Sequence, residues 1–313
     1  MNADAPKMPR TIAEYLEQLR AALRGADPAL IQDALYDAEE HLRAELADQP
    51  GRGEADMLAK VVGSYGAPEE VADIYRDQEI KIQRALRPPR PAKQSSWVGQ
   101  FFGVAADPHT YGALFYMVLS LATGIFYFTW AVTGLSLSVG LLVLIIGIPF
   151  ALLFLGSVRV LALVEGRIVE TMLGVRMPRR PAFSTRGMSF WQRIGAVLSD
   201  PRTWGTVGYM LLMLPLGIAY FTIAIAMLAT SLALALAPIG KAVLNSLDVP
   251  YSNCDGPSQL CGFVSWWNSW PGTICASLIG IVMLFATLHI VRALAYLHGQ
   301  IAKHLLVAGS ARE

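Results

Sequence analysis

The residues best suited to chemistry stand at repeated positions. Arg159 and Arg292 open the matching stretches RVLALVEGRIVETML (159–173) and RALAYLHGQIAKHLL (292–306). Six residues after each arginine the copies diverge, with Glu165 in the first and His298 in the second, and a glycine follows both. An arginine about 20 residues into an apolar helix reaches the membrane boundary, where it snorkels towards lipid headgroups. The duplication also permits an anionic headgroup site at Arg159 and Arg292. A histidine near such a boundary can sense pH, although an exposed, interfacial His298 is the expectation.

Three other groups offer chemistry. His41 has Glu45 one helical turn on, but a metal site needs a third ligand and a recognised spacing, so a solvated, ion-paired surface is expected and no metal. Cys254 and Cys261 bracket six residues in a polar segment and are expected to form a disulfide, with Cys275 left as a small packed residue. Trp266, Trp267 and Trp270 read as an aromatic anchor at the outer boundary, or as the cap of a ligand or lipid site. There is no Gly-x-Ser-x-Gly, no Walker pattern, no His-Glu-x-x-His and no acidic residue at the middle of an apolar run, so no catalytic residue, enzyme activity or cofactor is expected. The lack of mid-span charge also argues against ion-coupled transport.

These residues need elements to hold them. The chain is 54% hydrophobic and 16% charged, well below the charge of a soluble domain, while its net charge of +1 gives no basic excess for direct nucleic-acid binding. The charges crowd into residues 1–86, where apolar positions at helical spacing predict four helices. Ile12, Tyr15, Leu16, Leu19 and Leu23 form one stripe ended by Gly25, and Asp27 and Pro28 start the next helix. The opening MNADAPKMPR is polar, without the features of a secretory signal, so the N-terminus is expected in the cytosol. RPPRPAKQSSWV (87–98) reads as a semi-rigid basic linker. Apolar blocks at 111–160, 204–239 and 272–298 then predict four spans, the first block turning near 133–140.

Lysine and arginine set the orientation. Arg84, Arg87, Arg90 and Lys93 precede the first span, and Arg176, Arg179, Arg180, Arg186 and Arg193 lie between the second and third. Both termini and this middle segment are therefore expected inside and the two turns outside. SSWVGQFFGV and MSFWQRIGAVL read as helices lying along the inner surface.

The membrane part is written twice. At an offset of 93, residues 96–131 align with 189–224 and 16 of 36 positions are identical, including the Asp-Pro of DPHTYG (107–112) and DPRTWG (200–205). The return helices align at an offset of 133, which leaves about 40 extra residues in the second outer turn, 238–271. The expected architecture is all-α: a cytosolic domain (1–86), a linker (87–98) and two parallel two-span repeats (99–174 and 175–313).

Two resemblances bear on function. YLEQLRAAL, IQDALYDAEEHLRAEL and YGAPEEVADIY resemble the HAAS signalling domain, a bacterial cytosolic helical module often encoded beside PadR-type transcription regulators; the resemblance implies signalling to such a partner. Residues 96–308, with LPLGIAYF following DPRTWG, resemble a four-span sensor domain of bacterial membrane proteins. No kinase core follows the spans, so output is expected to pass through the helical head. Together these imply a non-enzymatic inner-membrane sensor in contact with the lipid bilayer, with a homo-oligomer open. The alternative is an accessory or lipid-binding subunit of a transporter or envelope complex.

Overall fold

The computed structural model describes residues 8–49, 53–86, 96–144, 147–180, 195, 199–248 and 259–307. Among these the chain is helical and has no strand. Four helices form the head: α1 (Ile12–Ala22), α2 (Pro28–Asp48), α3 (Glu54–Tyr65) and α4 (Pro68–Leu86). A short α5 (Trp97–Gly103) and one 3-10 turn lead to α6 (Pro108–Leu141), followed by α7 (Gly147–Leu173), α8 (Pro201–Ala235), α9 (Ala237–Ser246), α10 (Gln259–Trp267) and α11 (Trp270–Leu306). Of these, α6, α7, α8 and α11 are long and apolar enough to cross a membrane.

Local chemistry accounts for the starts of the head helices. The Thr11 hydroxyl accepts from the Glu14 amide at 3.1 Å, and the Asp27 carboxylate accepts from Ala29 at 2.9 Å ahead of Pro28, whose missing N–H is no loss there. The apolar stripes then close one core in which Tyr15, Leu19, Leu23, Leu42, Met57 and Leu58 are fully buried. Tyr15 spends its hydroxyl on the Gly66 carbonyl at 2.9 Å, which ties α1 to the turn before α4.

The chain divides into two compact units, one of residues 1–89, 126–212 and 298–313, the other of 90–125 and 213–297. In the first unit α6 and α7 pack as a hairpin. Trp130 Nε1 donates to the Ser157 hydroxyl at 2.9 Å, and a Cβ on Gly134 would strike the ring of Phe154. The turn of this hairpin follows Leu141, not residues 133–140 as expected. Ser138 bonds back to the Gly134 carbonyl at 2.6 Å, so this uncharged stretch stays in the helix.

In the second unit α6 and α8 cross. A Cβ on Gly124 would strike the Met213 carbonyl, and one on Gly217 the Ser120 carbonyl. Small residues allow this backbone approach between apolar helices. The offset of 93 makes Gly124 equivalent to Gly217 and Ser120 to Met213, so the two contacts are reciprocal. At the other end of this unit, Ser277 donates to the Ala235 carbonyl at 2.8 Å and fixes α11 against the end of α8.

Candidate functional site

The segment 174–180, which follows α7 in the first unit, carries three arginines, Arg176, Arg179 and Arg180. Gly174 has φ +68°, a conformation open to glycine, and turns the chain back along α7. The returning strap packs against two further glycines: a Cβ on Gly166 of α7 would touch Met177, and one on Gly299 of α11 would strike Val175. These are the glycines that follow Glu165 and His298 in the matching stretches. Met177 is fully buried as a result.

This course drives Arg176 inward. Its guanidinium bonds Asp33 of α2 at 3.0 Å, Glu79 of α4 at 3.1 Å and Glu170 of α7 at 3.2 Å, and also donates to the Met177 carbonyl at 2.5 Å. All four charged side chains are buried. Arginine suits the place because its fixed fork of five donors can serve several acceptors at once. Asp33 in turn accepts the backbone N–H groups of Arg179 at 2.6 Å and Arg180 at 2.8 Å. Burial pushes the Asp33 carboxyl above the ordinary carboxylate range; those two N–H groups and Arg176 pull the other way without cancelling it.

Weaker ties surround this cage. Gln32 donates to the Arg180 carbonyl at 2.8 Å, Arg180 pairs with Asp37 at 2.8 Å, and Tyr75 donates to Asp37 at 3.0 Å. Lys303, near the end of α11, pairs with Asp27 at 2.5 Å, the same aspartate that caps α2. The head is thus bonded to α7, the strap and α11. In the sequence Arg176, Arg179 and Arg180 read as marking the inner side of the membrane; in the structure the guanidinium groups of Arg176 and Arg180 pair with head carboxylates, and that of Arg179 with Glu170 of α7.

One turn and a half before Glu170 on α7, Glu165 anchors a second polar cluster. Tyr127 of α6 donates to its Oε2 at 2.9 Å and Tyr209 of α8 to its Oε1 at 3.0 Å. The Tyr209 hydroxyl also lies 3.1 Å from His298 Nε2 on α11. Glu165, Tyr209 and His298 are each 1% exposed, which overturns the expectation of an exposed His298. Four helices meet through these side chains, and α7 carries both Glu165 and Glu170.

Arg159 and Arg292 do equivalent things in separate units. Arg159 pairs with Asp200 at 3.2 Å and reaches the Thr203 hydroxyl at 3.1 Å. Arg292 pairs with Asp107 at 3.1 Å. Arg159 of α7 therefore holds the Asp-Pro entry of α8 and Arg292 of α11 that of α6, and each aspartate also caps its own helix, on His109 at 3.0 Å and Arg202 at 3.1 Å.

Trp266, Trp267 and Trp270 lie in the second unit. Trp266 and Trp270 are about half exposed, Trp267 stacks on Phe263 at 5.8 Å, and Lys241 is buried with its ammonium 5.1 Å from the Trp270 ring and bonded to the Asn268 carbonyl. That carbonyl closes the end of α10, where a cation is favoured. The expected Cys254–Cys261 disulfide falls outside the described residues, as do most of the linker and the MSFWQRIG stretch. His41 stacks on Tyr65 at 4.4 Å, and among the described residues no group of three or more His, Cys, Asp or Glu could hold a metal.

The Arg176 cage and the Glu165 cluster were not read from the sequence. Their signal was the pair of matching glycines beside Glu165 and His298. A family model described as "Putative sensor" matches residues 116–306, and a HAAS model matches residues 14–73. No curated protein and no solved structure matches the chain.

Proposed function

This chain belongs to the Sensor family, and from that premise we propose that it is a non-enzymatic sensor of the bacterial inner membrane whose output is its HAAS head. The observation that carries the reading is the buried Arg176, which joins Asp33 and Glu79 of the head to Glu170 of α7. A change in how α6, α7, α8 and α11 pack reaches α7 through Glu165, and α7 passes it to the head through Glu170 and Arg176. Breaking one member of such a cage leaves buried charges without compensation, so the head is held in one of two arrangements, docked or released.

Both termini lie in the cytosol on this reading, and the partner is a PadR-type transcription regulator that binds the head, with no nucleic acid bound directly. The membrane part consists of two parallel two-span repeats, consistent with the reciprocal glycine crossing of α6 and α8. The outer tryptophans receive an envelope ligand or anchor in the lipid, and Arg159 and Arg292 hold the span entries near the headgroups. Deleting residues 1–92 is expected to abolish capture of the regulator while membrane insertion persists. Capture that survived the deletion would remove the head from its role. Co-purification of a transport ATPase in place of a regulator would favour the accessory-subunit alternative.

A further inference from the structure

Head, strap and α7 enclose a cavity of about 310 Å³ within the first unit, lined by Leu30, Asp37, Tyr75, Gln78 and Ile82 together with Asp33, Arg167, Arg176, Arg179 and Arg180. Its volume lies at the lower end of the range for small-molecule sites. Four guanidinium groups and two carboxylates, Asp33 and Asp37, line this wall. Glu170 and Glu79 stand behind Arg176 and fix it from the far side.

The arginines on the wall differ in how much of their fork is committed. Arg176 is spent on three carboxylates and a carbonyl. Arg167 bonds Glu170 at 2.9 Å, Arg179 the same glutamate at 3.4 Å, and Arg180 bonds Asp37 at 2.8 Å. The side chains of these three are 50%, 40% and 52% exposed, so each keeps N–H donors that no carboxylate fills. Arg159 and Arg292, by contrast, serve the Asp-Pro entries.

We infer that this cavity binds a phosphate group, held by the outward N–H donors of Arg167, Arg179 and Arg180. Paired N–H donors match the oxygens of phosphate in geometry and charge. Three of the contributing elements are those that clamp the head, namely α2, α4 and the strap. Filling the cavity therefore strengthens docking, and emptying it favours release. Phosphate can come from an anionic lipid headgroup, since Arg167 lies near the end of a span-length helix, or from a soluble phosphate.

This site rests on the reading of Arg176 as the link between head and spans. The test is hydrogen exchange on the full chain in micelles of a phosphate-free maltoside detergent, followed over residues 174–180 and α4, with three additions compared: none, inorganic phosphate, and phosphatidic acid in the micelle. Exchange is expected to slow about tenfold on one of the additions, which identifies the source. The slowing is expected to be lost in Arg167→Gln and in Arg180→Gln, to be weakened in Arg180→Lys, which keeps the charge without the fork, and to persist in Arg43→Gln, a residue of α2 outside the cavity lining. No slowing with either addition, or slowing that is undiminished in Arg167→Gln and Arg180→Gln, would overturn the site. The wild-type exchange with nothing added, set against Arg176→Ala, reads the docking itself, so failure of the phosphate site is distinct from failure of the relay.

Discussion

One guanidinium and two backbone amides converge on the buried Asp33. Burial nevertheless holds its folded-state pKa above the ordinary value. Between the ordinary Asp pKa of about 3.9 and that raised value, the folded chain binds more protons than the unfolded chain. Stability contributed by Asp33 therefore falls as pH rises through this window, and it is greatest below it. Urea unfolding of the head in the full chain, measured across the window, is expected to show this slope in wild type and to lose it in Asp33→Asn; an unchanged slope in the variant would assign it to another group. Arg159 tests a second pair. Asp200→Ala is expected to cost about 2 kcal/mol, because the half-buried Arg159 then loses the carboxylate it pairs with. The exchange of charges in Arg159→Asp with Asp200→Arg is expected to restore part of the loss in thermal unfolding, whereas a role confined to headgroup binding predicts no restoration.

The elements divide into those the residue pattern dictates and those that depend on distant partners. Capping residues, proline starts and apolar stripes made α1 to α4 legible, because each acts within one or two turns of its own helix. The four spans followed from length and composition for the same reason. The turn between α6 and α7 was misplaced because small and hydroxyl-bearing residues, Thr133 to Gly140, look like a break in a soluble helix but remain helical where serines bond to their own backbone. The repeated glycines were visible but their use was not: Gly124 and Gly217 serve the crossing of α6 and α8, while Gly166 and Gly299 admit the strap. Gly217→Leu is expected to force α8 away from the Ser120 carbonyl and to destabilise the full chain by about 1–3 kcal/mol, whereas Gly208→Leu, on α8 with open space around it, is expected to be close to neutral. Equal effects of the two in thermal unfolding would contradict the crossing.

At the scale of the whole molecule, the sequence separates a charged head from an apolar body, and that contrast is what makes both family matches readable. It hides the join. Asp33, Glu79, Glu170 and Arg176 are spread over 144 positions and each looks like an ordinary surface charge beside its neighbours. His298 was misjudged for a related reason, since nothing local announces that Tyr209, 89 residues earlier, will meet it. Arg176 and Arg180, two of the charges counted as orientation signals, pair with carboxylates of the head. The measurement that bears most directly on this account is hydrogen exchange of α2, α4 and the last turns of α7 in the full chain, comparing wild type with Arg176→Ala and with Arg43→Ala, whose guanidinium pairs with Glu39 one turn away on α2. Loss of a buried charge partner costs about 3–5 kcal/mol, so Arg176→Ala is expected to speed exchange in all three segments by at least about tenfold, with Arg43→Ala unchanged. Exchange in Arg176→Ala equal to wild type would contradict the claim that the head is coupled to the spans through this residue.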